Sequence, residues 1–262
     1  MEYQHLRLEK NNHIAIVTLS RPEIMNALNI QIMEEIEHVA RSFLGDEETR
    51  VVIFAGEGKH FSSGADLKSR FADTDQSLLM KRRQTGLGGR MIRAIMAIEQ
   101  VTIAAVQGAA LGGGACIPTA CDFRIGSDDC FFGYPEVNLG INLMWTALPL
   151  CVHLIGPARA KKMVMSGERE NALTLLSWGY LDEVVPREAL MTRAMAMADH
   201  YAGQPPIAVQ MIKRSINMIS SALDQAIMHM DADQNMLAGT SEDRAEAVKA
   251  WFDKRDPQFR GN

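Results

Sequence analysis

The stretch LGGGACIPTACD (Leu111–Asp122) sets three glycines beside a thiol. A strand-like run, VTIAAV (Val101–Val106), precedes it, and a helix-compatible segment, ACIPTAC, follows. Glycines at a helix start cost stability, and a connecting turn explains only one of them. Close approach of the backbone to a ligand explains the run better, because a side chain at Gly113 would block access to its N–H. A second strand followed by a glycine-containing turn, VVIFAGEGKHFSSGADL, has the same form. Two such turns at neighbouring strand ends could aim two backbone N–H groups at one point. The triple-glycine turn opens a helix, whose N-terminal dipole favours negative charge. Two convergent donors of this kind form an oxyanion hole.

Other motifs lack the context that their chemistry needs. TGLGGR (Thr85–Arg90) sits inside a helical stretch and follows no strand, so it reads as a loosened or kinked helix and not as a dinucleotide site. GEGKHFSSG closes on no Gly-Lys-Ser/Thr triplet. His60 stands where a nucleophile elbow needs its first glycine, which argues against Ser62 or Ser63 as a nucleophile.

The elements that must position these groups follow from hydrophobic periodicity. HIAIVTL (His13–Leu19) and RVVIFAG (Arg50–Gly56) read as buried strands, VTIAAV as a third and DFRIGS (Asp122–Ser127) as a fourth. NIQIMEEIEHVARSFL (Asn29–Leu44) reads as an amphipathic helix, and Ser77–Glu99 as a long helical stretch. Beyond about residue 142 the pattern is almost wholly helical. An α/β half is thus followed by a helical tail whose Met-rich faces (Met211, Met218, Met228, Met230, Met236) read as packing surface or oligomer interface.

Composition limits the function classes. The 262 residues are 47% hydrophobic and 23% charged, enough for one large core or two modest domains. A net charge of −5 gives no basic field for nucleic acid. No apolar run is long enough to span a bilayer, and the polar start MEYQHLRLEKNN has no signal-like core. The four cysteines form no Cys-x-x-Cys pair and the seven histidines show no metal-like spacing. A cytoplasmic protein with reduced thiols, no metal and no membrane or nucleic-acid partner is expected.

HFSSGADLK, VQGAALGGGACIPTACDFRIGS and FFGYPEVNLGI together resemble the crotonase (enoyl-CoA hydratase/isomerase) superfamily. The resemblance runs from IAIVTLSRPEIMNALN to AVKAWFDKRDPQF, nearly the whole chain. It implies an α/β fold: a crotonase-like ββα superhelical core (residues 1–200) with a C-terminal helical region (201–262) that makes trimers, often paired into hexamers. It implies an acyl-CoA substrate, with CoA as part of the substrate and no separate cofactor. The thioester enolate would be held by the N–H groups of Ala65 and Gly113. Ala65, Asp66, Leu67 and Lys68 match the family stretch lining the CoA and substrate site. Trp251 and Lys254 match positions on the helix that reaches CoA. A packed Trp and a solvated Lys are the equal alternative.

Many hydratases of the superfamily use two glutamates. By position the second is Glu136 in YPE, and Cys116 replaces the first; Ala115, Ile117, Pro118 and Thr119 supply no substitute acid. One carboxylate beside an oxyanion hole can take a proton α to a thioester and return it elsewhere, which is double-bond isomerisation. Hydration is harder, because a thiol holds water poorly; Asn142, Asn138 and Tyr134 are candidates to help. In GINLMWTALPLC, bulky Met144 and Trp145 stand where many hydratases are glycine-rich, and would reshape the acyl pocket. Two other readings stay open: a non-catalytic acyl-CoA-binding protein, and a thioester hydrolase using Cys116, which a helix N-terminus could activate.

Overall fold

The structure is a computed structural model that describes residues 2–67 and 77–262; Lys68 lies outside the described residues. Among the described residues nine strands form two sheets. They are β1 (Leu6–Asn11), β2 (Ile14–Leu19), β3 (Val51–Gly56), β4 (Val101–Val106), β5 (Ala109–Leu111), β6 (Phe123–Ser127), β7 (Phe131–Gly133), β8 (Arg169–Asn171) and β9 (Glu183–Val185). The larger sheet has the order β1-β2-β3-β4-β6-β9 and is parallel from β2 onward, with Ile16, Ile53 and Ile103 in register. The smaller sheet has the order β5-β7-β8. Each long strand β4 and β6 turns at once into a short strand of the second sheet, β5 and β7. A ββα unit thus repeats along the chain.

Both faces of the larger sheet are covered at β2, β3 and β4, so these strands read as near-continuous apolar runs. Val52, Phe54 and Ala104 face one core, which also takes Ile32, Ile36 and Val39 of the helix Ile30–Ser42. Val51, Ile53 and Ile103 face the other, closed by Leu190, Ala194 and Ala198 of the helix Leu190–Ala202. Asn29 caps the first of these helices, its side chain accepting from the Ile32 N–H at 2.9 Å.

The helical stretch read over Ser77–Glu99 is two helices, Leu78–Thr85 and Leu87–Met96, which meet at Gly86. The break falls inside TGLGGR, as expected. The reading of the region beyond residue 142 as almost wholly helical needs correction, because β8 and β9 lie within it. Strands of three residues span too little chain for an alternating pattern to show. β1 was also not read, since only Leu6 of its six residues is buried. Gly156 interrupts the helix Ala147–Ser166 with φ 76° and ψ 163°, just before Pro157.

Candidate functional site

The two glycine turns touch. Ser62 bridges Ala110, extending the smaller sheet, and Ala65 bridges Leu28. In that parallel bridge the Leu28 N–H donates to the Gly64 carbonyl at 2.8 Å and the Asp66 N–H to the Leu28 carbonyl at 3.0 Å. Strand alternation therefore turns the Ala65 N–H the other way, toward the second turn. Gly64, at φ +89°, sits so close to that turn that a Cβ on it would lie 3.3 Å from the Gly113 nitrogen and would overlap the Leu111 carbonyl. Gly113 opens the helix Gly113–Thr119, so its N–H has no intrahelical partner. Among the described residues neither the Ala65 nor the Gly113 N–H donates to a protein acceptor.

The three glycines answer to three different constraints. Gly112 needs φ +51°, and a Cβ on it would come within 2.9 Å of Glu136 Oε1. A Cβ on Gly114 would lie 2.6 Å from the Ser62 carbonyl. A Cβ on Gly113 would fall inside the Trp145 indole. The bare backbone at Gly113 thus also seats a side chain of this same chain, a second constraint beside access to its N–H. Ser62 is fully buried, donates to the Asn26 carbonyl at 2.8 Å and accepts from the Gly64 N–H at 3.2 Å, so it shapes the turn. His60 Nδ1 accepts from the Ala109 N–H at 3.0 Å, and burial lowers its pKa, which favours the neutral, accepting ring.

One cleft of about 790 Å³ gathers Ala65, Asp66, Leu67, Gly113, Cys116, Glu136, Trp145 and Trp251. Glu136 enters it from the first turn of the short helix Pro135–Leu139, and its Oε1 stands over Gly112, next to the Gly113 donor. Cys116 lies one turn into the neighbouring helix. Its thiol donates to the Gly112 carbonyl at 3.3 Å. Burial, and then the nearby Glu136 carboxylate, push the Cys116 pKa well above the ordinary thiol value. The thiolate that nucleophilic attack requires is therefore disfavoured, and among the described residues no histidine lines the cleft.

Asp66 pairs with Arg21 at 3.5 Å. Trp251, 48% exposed on the helix Glu242–Asp253, reaches the cleft of its own chain. Lys254 ends that helix in the left-handed region, at φ 54°, and does not line the cleft. Of the three candidate helpers for water, Asn138 lines the cleft and the other two do not. The Tyr134 hydroxyl is buried in a triangle with Thr119 Oγ1 (2.6 Å) and the Tyr180 hydroxyl (2.9 Å). Asn142 Nδ2 donates to Gln234 Oε1 at 3.4 Å. Arg169 and Arg244 also line the cleft and were not anticipated. Arg244 Nη1 donates to the Leu139 carbonyl at 2.6 Å, tying the C-terminal helix to the turn that carries Glu136. The two residues lie 105 positions apart, so no local signal marks the pair. Among the described residues no group of three or more His, Cys, Asp or Glu side chains could hold a metal ion, and no helix is long and apolar enough to cross a membrane.

Two backbone donors and one carboxylate around an apolar-walled cleft define a class of protein that can hold an oxyanion and move a proton beside it. The family model for enoyl-CoA hydratase/isomerase matches residues 9–262. The chain is 33% identical over 262 residues to the crotonyl-CoA hydratase of Syntrophomonas wolfei, covering 99% of both chains. It is 32% identical over 256 residues to the short-chain-enoyl-CoA hydratase of Clostridium acetobutylicum, covering 97% of both. An enoyl-CoA hydratase structure from Mycobacterium avium subsp. paratuberculosis superposes with a TM-score of 0.89 at 25% identity, over 99% of this chain and 100% of that one. The chain belongs to the enoyl-CoA hydratase/isomerase family and is an enzyme of that type with the crotonase fold.

Proposed function

We propose that this enzyme stabilises the enolate of an acyl-CoA thioester with the N–H groups of Ala65 and Gly113, and moves the proton with Glu136. The observation that carries the reading is the pair of N–H groups without protein acceptors, in one cleft with the Glu136 carboxylate. On an enoyl thioester whose double bond lies between the β- and γ-carbons, Glu136 takes a proton from the α-carbon. The electron pair moves onto the thioester oxygen, which the two donors hold. The dienolate then takes the proton back at its γ-carbon, and the double bond ends conjugated to the thioester.

Isomerisation is the preferred reaction, because a buried, protonated thiol occupies the slot of a second carboxylate. Reversible hydration of a conjugated enoyl-CoA is the second reading. It is favoured by the names of the two hydratases given above, and by Asn138 on the cleft wall as a partner for water. Asp66 and Leu67 are proposed to line the CoA path, with Trp145 at the acyl end and Trp251 against CoA. Lys254, off the cleft wall, fits a solvated helix cap better than a CoA contact. Residues 1–200 are proposed as the core that carries the site, and 201–262 as the helical region for oligomerisation. Ile207, Met211, Ile212, Ile216 and Ile219 are exposed on the helix Pro206–Ser220, an apolar face suited to burial in a homotrimer or hexamer.

The test sets crotonyl-CoA hydration beside isomerisation of a 3-enoyl-CoA with one enzyme preparation. Faster isomerisation is expected. Equal or faster hydration would reverse the preference. Tight acyl-CoA binding with neither reaction would make the chain a binding protein.

A further inference from the structure

Trp145 is buried against the backbone that carries the Gly113 donor, and the fold holds it there by several contacts. Its indole is 6% exposed and lies between two helices. A Cβ on Gly88 of the helix Leu87–Met96, or on Gly113, would fall inside the ring. Only glycines at those two places allow the ring to sit against the backbone that carries the Gly113 donor.

Trp145 lines the 790 Å³ cleft of Glu136. It also lines a second space of about 540 Å³ beside Gly88 and Met33, and a third of about 430 Å³ beside Arg93 and Asp231. Trp145 thus borders all three spaces, and the second, which adjoins the cleft along Ala65 and Ile141 as well, is the one an elongated acyl chain could enter.

The backbone is held in an uncommon shape to keep it there. Trp145 and Thr146 both adopt left-handed conformations, at φ 61° and 60°, the second a genuine outlier for a β-branched residue. The Thr146 N–H donates to Asp231 Oδ2 at 2.8 Å, and Thr146 Oγ1 donates to the Trp145 carbonyl at 2.6 Å. Asp231 is itself buried and begins the helix Asp231–Ala238, so the C-terminal helices clamp the turn.

We propose that Trp145 is the chain-length gauge of the acyl site, ending the cleft a short distance beyond Gly113, and that Asp231 is the positioning residue that holds it. The enzyme then selects short acyl groups. The proposal rests on the acyl-CoA reading of the cleft.

The test measures binding of butyryl-CoA and decanoyl-CoA by calorimetry, and turnover of crotonyl-CoA, decenoyl-CoA and the matching 3-enoyl-CoAs. It uses the wild type, Trp145→Ala, Asp231→Ala and Asp231→Asn, each confirmed folded by circular dichroism and melting. Wild type should favour the short chain. Trp145→Ala should raise the decanoyl-to-butyryl affinity ratio roughly tenfold or more, the scale set by a few methylenes in an apolar pocket. Asp231→Ala should move the ratio in the same direction, and Asp231→Asn, which keeps an acceptor for Thr146, should restore it. If Trp145→Ala does not fold, Trp145→Leu reads the same ratio. A wild type that takes both chains equally, or an unchanged ratio in a folded Trp145 variant, would overturn the gauge. A shifted ratio without turnover of any ester would sustain the gauge and sink the catalytic reading. Normal turnover with an unshifted ratio would do the reverse.

Discussion

Glu136→Gln isolates the proton-transfer step. The amide keeps the shape of the carboxylate, so it should leave the cleft and its two N–H donors in place while removing the base. Few groups in the cleft could take over. The Cys116 thiol is buried, directed at the Gly112 carbonyl and pushed well above its usual pKa, and Asp66 is paired with Arg21. General-base catalysis contributes on the order of 10²–10⁴ in rate, so turnover should fall roughly a thousandfold, or about 4 kcal/mol in the barrier. The remaining activity would come from enolate stabilisation by Ala65 and Gly113. The direct assay is exchange of the α-protons of butyryl-CoA in heavy water, followed by NMR, with binding measured on the same ester. Exchange should collapse while affinity holds. Exchange within about tenfold of wild type would refute Glu136 as the base. Equal loss of affinity and exchange would make it a binding residue.

Two further predictions concern the buried thiols and Gly113. All four cysteines are buried, and burial pushes the thiols of Cys121, Cys130 and Cys151 up to about 12 and that of Cys116 well above its usual value. At pH 7–9 the native protein should show no fast reaction with an aromatic disulfide reagent, all four should react once it is unfolded, and Cys116→Ser should keep its turnover. Rapid alkylation of Cys116 with parallel inactivation would restore the nucleophile reading. Gly113→Ala should destabilise the fold by ~3 kcal/mol, because the new methyl falls inside the Trp145 ring. Thermal and chemical unfolding of the single and double variants should show that Trp145→Ala relieves most of that cost; additive losses would contradict the packing.

The strands β2, β3, β4 and β6 and the helix Ile30–Ser42 were legible because burial along one element leaves a local record. Four or more apolar residues in a row mark β2, β3 and β4 as strands covered on both faces, β6 shows only a short Phe-Arg-Ile run, and a 3.6-residue period marks a helix covered on one. The short strands β5, β7, β8 and β9 leave no such record. The two glycine turns stood out through residue type and order, Glu136 and the role of Cys116 through the family resemblance, and the fold brings them into one cleft. Arg244 and Asp231 did not stand out. Each acts on a backbone group far along the chain, Arg244 on Leu139 and Asp231 on Thr146.

By itself the sequence determined the family, the order of the main elements and the chemical types present at the site. Those properties depend on residue identity and on short-range spacing. Only the tertiary structure decided why the glycines are bare. Gly113 and Gly88 are far apart in the chain, yet both make room for one indole. Such a seat exists only after two helices and a left-handed turn have packed together. Steric exclusion between distant segments leaves no periodicity for a reader of the chain to find.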